Sequence, residues 1–92
     1  MIGEFVVVRT SDAGVHMGTL VECLGTAVVL KDSRRLYRWT GAFTLNEVSQ
    51  QGVGEDSRIS QPVPRILLTQ AIEVIPCSEK ARENLSRSRN GA

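Results

Sequence analysis

The stretch EFVVVRTSDAGVHMGTLVECL, residues 4–24, decides how this chain folds. Residues 4–10 are few and rich in β-branched side chains, so they read as a strand. Alternation places Phe5, Val7 and Arg9 on one face and Val6, Val8 and Thr10 on the other. Both faces are apolar over most of the run, so both are expected to be covered. Ser11, Asp12, Ala13 and Gly14 are turn chemistry: Ser and Asp side chains bond nearby backbone, and Gly adopts positive φ. Residues 15–24 then return as a second strand. The same stretch carries an arginine at a strand end and the chain's single histidine, His16. It is either an ordinary hairpin or one wall of a polar pocket.

Working outward, Gly25 is the next turn, TAVVLKD (26–32) a third strand and RRLYRWT (34–40) a fourth. Short strands with tight turns form an antiparallel meander. In AFTLNEVSQQG (42–52), Thr44 and Glu47 have the spacing of a capping box. Phe43 and Val48 fit a hydrophobic staple, and Gly52 stops the helix, which is expected over 45–51. Residues 53–65, with Pro62 and Pro64, read as a loop. RILLTQAIEVIPC (65–77) reads as one or two strands ending at Pro76. Ser78 caps a terminal helix over EKARENL, 79–85, with Glu79 in its first turn. The polar, basic tail SRSRNGA, 86–92, is expected to be disordered. The fold class is α+β: a small antiparallel sheet with one short helix and a C-terminal helix, in a single domain over 1–85.

Length and charge bound the function. Ninety-two residues bury a modest core, and at this size oligomers are common. The first 78 residues hold seven basic and eight acidic side chains, and the last 14 hold four and two. A nearly neutral domain argues against a broad duplex-binding face, which needs many phosphate contacts, but not against a compact pocket for a phosphorylated ligand. No apolar run approaches a membrane span, and the N-terminus lacks signal-peptide features, so a soluble cytoplasmic protein is expected. Cys23 and Cys77 form no metal or redox motif and read as unpaired thiols.

Chemistry concentrates in KDSRRLYRW, residues 31–39. Four cations fall there, with Tyr37 and Trp39. Alternation groups Arg35 with Tyr37 and Trp39, and Arg34 with Leu36 and Arg38. An Arg fork binds phosphate and a ring stacks on a base, so this pairing suits a nucleotide. The plainer reading makes Tyr37 and Trp39 core or interface residues with Arg35 at the rim. Arg9, with Thr10 and the amides near Gly14, is a second anion candidate; its plainer reading is an ion pair with Asp12 or Glu22. His16 has no partners at metal-ligand spacing and no nucleophile beside it, so no metal, cofactor or catalytic role is expected. It reads as a polar wall or ligand contact.

VVVRTSDAGVHMGTL, VVLKDSRRLYRWTGAFTLNEVSQQGV and VPRILLTQAIEVIPCSEKA together resemble a family of small bacteriophage and prophage proteins. The family's common form runs VVVRTYSAGVHFGTL, VVLxxARRIWYWxGAxxLxxLAxxG and VPxIILTEAIEIIPCTEEA. The likeness covers about residues 4–83. Ser11-Asp12 depart from Tyr-Ser, and LYRW departs from IWYW. The family is similar to phage sponge proteins that defeat Thoeris and CBASS immunity by holding cyclic nucleotide or cyclic ADP-ribose signals without cleaving them. The resemblance implies a symmetric homo-oligomer, a hexamer, with ligands at subunit interfaces. The shared polar positions Arg9, Thr10, Gly14, His16, Arg34, Arg35, Tyr37 and Trp39 are its implied ligand-binding set. The expected function is sequestration of a cyclic nucleotide signal; the alternatives are single-stranded nucleic-acid binding and a phage structural or protein-interaction module.

Overall fold

A computed structural model describes residues 1–87. Six strands and two helices follow in the order β1 (Phe5–Thr10), β2 (Val15–Leu24), β3 (Ala27–Arg38), α1 (Leu45–Gln51), β4 (Arg58–Ile59), β5 (Val63–Leu68), β6 (Ala71–Pro76) and α2 (Glu79–Ser86). The small antiparallel sheet with two short helices is the expected α+β architecture. Among the described residues, no helix is long and apolar enough to cross a membrane.

Three elements differ from the sequence reading. The third and fourth expected strands are one continuous strand, β3. The segment read as a loop holds β4 and the start of β5. Residues 65–77 divide into β5 and β6 around Thr69 and Gln70. Of the expected tail, Ser86 closes α2 and Arg87 is its C-cap; residues 88–92 lie outside the described residues.

The sheet order is β4-β3-β2-β1-β6, with β5 also paired to β3. β4 and β5 share one edge of β3, β5 along Val28–Ser33 and β4 along Leu36–Arg38. β6 returns to the far edge, against β1. Yet β5 and β6 are joined by two residues, which span at most about 11 Å between Leu68 and Ala71. In a flat sheet, four strand spacings would separate them by roughly 19 Å. The sheet must therefore curl so that the start of β6 comes near the end of β5, and Ala71 N donates to Thr26 O, just before β3, at 3.0 Å.

Bulges supply the curvature. β3 has one extra residue opposite Gly18, where Asp32 takes φ 52°, and β2 has one at Val21. A Cβ on Gly18 would lie 2.8 Å from Lys31 O, so only glycine admits this close crossing.

Curling gives two cores. The inner face packs Val6, Val8, Leu20, Val28, Leu30 and Leu68. The outer face packs Val7, Met17, Leu36 and Ile59 under Val48 of α1 and Ala81 and Leu85 of α2. β1 is thus apolar on both sides because it is covered on both sides. Thr44 caps α1 by accepting from Glu47 N at 3.2 Å. Asn84 of α2 clamps the chain after α1: its Oδ1 accepts from Val53 N at 2.8 Å and its Nδ2 donates to Val53 O at 3.0 Å. The staple does not form. Val48 is buried, while the Phe43 side chain is 97% exposed, and Glu47 Oε1 instead accepts from Phe43 N at 3.3 Å.

Candidate ligand-binding groove

Arg9 lies next to the end of β1, on the outer-face row with Val7. Its Nε lies 3.5 Å from Glu73 Oε1 of β6, its register partner, rather than near Asp12 or Glu22. Both side chains are substantially exposed, at 55% and 39%, so the pair contributes at most about 1 kcal/mol and yields readily to a competing anion.

Trp39 reaches the same place through a break in alternation. β3 bulges at Tyr37, between the pairs Leu36–Ile59 and Arg38–Arg58. The extra residue puts Trp39 on the outer face with Leu36, against the helix-side core, instead of beside Arg35. Arg9, Trp39, Phe43, Asn46 and Glu73 then line an open groove of about 390 Å³, with Val15 and Leu45 behind them. That volume lies in the range of small-molecule sites. The failed staple matters here: Phe43 presents an unpacked ring to a groove that a half-buried indole also lines. A guanidinium beside two rings can hold a phosphate and stack a base.

The remaining candidates divide between structural roles and a second place. Arg34 is spent on the fold: Nε donates to Ser60 O at 2.7 Å, and Nη1 to Leu85 O at 3.2 Å and Arg87 O at 2.6 Å. It closes the carbonyl end of α2, where a cation is favoured. Thr10 and Gly14 close the β1–β2 turn. Thr10 Oγ1 donates to Gly14 O at 2.9 Å and accepts from Ala13 N at 2.8 Å, so that hydroxyl and that amide are engaged with each other. Tyr37 is exposed and lines neither cavity described here.

His16 and Arg35 are register partners on the inner face, away from the groove. His16 is 1% exposed, and its Nε2 lies 2.9 Å from Ala13 O. A carbonyl only accepts, so Nε2 carries the proton and Nδ1 is left as an acceptor. Burial holds the imidazole below the usual histidine range; the Ala13 bond opposes that shift and the Arg35 charge adds to it. With Ser33, Arg34, Ser60, Gln61 and Ile66, these two residues line a cavity of about 160 Å³. Ser33 is 2% exposed and its Oγ has no hydrogen-bond partner. An orphaned buried hydroxyl of this kind costs about 1–3 kcal/mol.

Sequence reasoning missed Phe43, Glu73 and Ser33 as site residues. Phe43 carried a signal, an aromatic in a glycine-containing loop, but the staple reading absorbed it. Glu73 and Ser33 carried none, since their relevance depends on strand register. Cys23 and Cys77 are both unpaired; burial pushes the Cys77 thiol up to about 12, so it stays protonated. Among the described residues, no three His, Cys, Asp or Glu side chains gather where they could hold a metal ion.

No curated protein and no solved structure matches the chain. The family model described as a domain of unknown function, DUF6948, matches residues 3–85, nearly the whole chain, and the chain therefore belongs to that family.

Proposed function

We propose that this protein binds and sequesters a cyclic nucleotide signal, with phosphate against Arg9 and a base against Trp39 and Phe43. The observation that carries the reading is the convergence of one guanidinium and two incompletely buried rings on one open groove. Holding a ligand needs affinity alone. Stacked bases add about 1–3 kcal/mol each, and a charge-assisted phosphate contact adds a similar amount. Micromolar binding, about −8 kcal/mol, is within reach of a few such contacts, more so where two subunits share a ligand. Binding without turnover is supported by the placement of His16, the one imidazole: it is buried on the other face, bonded to Ala13 O, and does not line the groove. The role of a phage or prophage protein defeating cyclic-nucleotide immunity rests on the sequence resemblance, as does assembly into a hexamer.

Trp39 fluorescence is the direct test, because the indole lines the groove. Titration with a panel of cyclic di- and trinucleotides and cyclic ADP-ribose isomers should give at least one saturable change. Chromatography of the released ligand should recover it intact. Arg9→Ala should weaken binding about tenfold or more with little change in stability, and Arg34→Ala should do the reverse, lowering stability by about 2–3 kcal/mol. No binding across the panel would sink the reading.

A second reading, a protein-interaction module, is favoured by the exposed side chains of Leu67, Ile72 and Leu24. It predicts that Trp39 and Phe43 dock a protein and that nucleotides leave the fluorescence unchanged. Single-stranded nucleic acid is disfavoured by the near-neutral domain and by the single cation in the groove.

A further inference from the structure

The inner-face cavity is built for a different ligand from the groove. It opens between β3, the β4–β5 connection and β5, on the opposite side of the sheet. Its volume of about 160 Å³ equals roughly five water molecules at liquid density, which is too small for a nucleoside and suited to a single tetrahedral oxyanion. Two cations line it: Arg34, whose Nε and Nη1 donate to main-chain carbonyls, and Arg35. The Arg35 side chain forms no ion pair among the described residues, and no carboxylate lines the cavity. The Arg35 backbone is fixed on both sides by Ser60: Arg35 N donates to Ser60 Oγ at 2.8 Å, and Ser60 N donates to Arg35 O at 2.9 Å. Ser33, two residues earlier on the same inward-facing row, supplies a buried hydroxyl with no partner in the protein. His16 supplies an accepting Nδ1, since its Nε2–H is engaged by Ala13 O.

We propose that this cavity is a phosphate site, in which Arg35 takes the anionic oxygens, the Ser33 hydroxyl donates to one of them and His16 Nδ1 accepts from a protonated one. The three groups answer the three demands of a hydrogen phosphate: charge, a donor and an acceptor. The orphaned Ser33 hydroxyl gains the partner the fold does not give it. The chemistry is that of a phosphate, whether free or the terminal group of a monoester.

The test is nuclear magnetic resonance of the full chain titrated with inorganic phosphate. Saturable shifts are expected at the His16 ring and at the amides of Ser33 and Arg35. Arg35→Gln should weaken binding about tenfold or more, and Ser33→Ala should weaken it several-fold while leaving a folded, no less stable protein. Arg38→Gln, which removes an exposed cation of the same strand outside the cavity, should leave binding unchanged. Methyl phosphate distinguishes the two sources: equal binding assigns the cavity to monoesters, and much weaker binding assigns it to the free anion. The proposal is overturned if the shifts do not saturate, if chloride at matched ionic strength reproduces them, or if Arg38→Gln weakens them as much as Arg35→Gln. Such results would leave a cavity filled by water or a general response to salt. Trp39→Ala, which removes the groove's indole, should not alter phosphate binding, so this site and the nucleotide groove succeed or fail separately.

Discussion

At the scale of single residues, the four arginine and histidine candidates have four different fates. Arg9 is exposed and lightly paired, Arg34 is bonded to three carbonyls, Arg35 faces a cavity without a counter-charge and His16 is buried neutral. His16 gives the fold a pH dependence of definite sign. Its folded-state pKa lies below the unfolded value, so the unfolded chain binds more protons in the interval between the two. Stability is therefore full above about pH 6.5, falls as pH drops through that interval and levels off below the folded pKa, at about 1.4 kcal/mol per unit of separation. Urea denaturation across pH 5–7.5 checks this. The His16→Gln variant should lose most of the slope while keeping a donor for Ala13 O. A steeper slope in the variant would assign the dependence to another group.

At the scale of elements, local chemistry was legible and register was not. The β1–β2 hairpin, the Thr44 and Ser78 caps and both helix spans follow from short-range signals, and the structure has them. The inner and outer rows of β1 also follow, because no bulge interrupts Phe5–Arg9. Trp39 was assigned to the wrong row because a bulge at Tyr37 shifts alternation by one, and nothing in LYRW announces it. The two-residue strand β4 owes its existence to Ile59 and Ser60 meeting β3, a long-range event with little sequence periodicity to reveal it. Gly18 tests the bulge account. Its φ is not in the left-handed region, so Gly18→Ala carries a steric penalty alone. It should destabilise the protein by about 1–3 kcal/mol in urea, through the clash with Lys31 O. Gly14→Ala meets no neighbouring atom but holds φ 84°, and should cost about 1–2 kcal/mol through backbone strain. A neutral Gly18→Ala would mean that the bend forms without the close crossing.

At the scale of the whole molecule, one curled sheet separates two chemistries: an open cation–aromatic groove on its outer face and a small polar cavity on its inner one. The proposed oligomer would draw on apolar residues left outside, and Leu67 of β5 and Ile72 of β6 are the prominent examples. Native mass spectrometry should register a multimer in the wild type and a shift to monomer in Leu67→Glu with Ile72→Glu. A multimer unchanged by both substitutions would place the contact elsewhere. The curl described above also bears on how copies avoid the wrong association. Curling brings the start of β6 near the end of β5, and the margins of the outermost strands are short or interrupted: β4 has two residues, β5 carries Pro64, and β6 bulges at Ile72 and ends at Pro76. Proline lacks the amide needed to recruit a further strand, and a kinked margin templates one poorly. Copies of this chain are thereby steered away from runaway strand-to-strand stacking and fibre growth, so that any productive assembly must be made by side chains and can stop at a defined size.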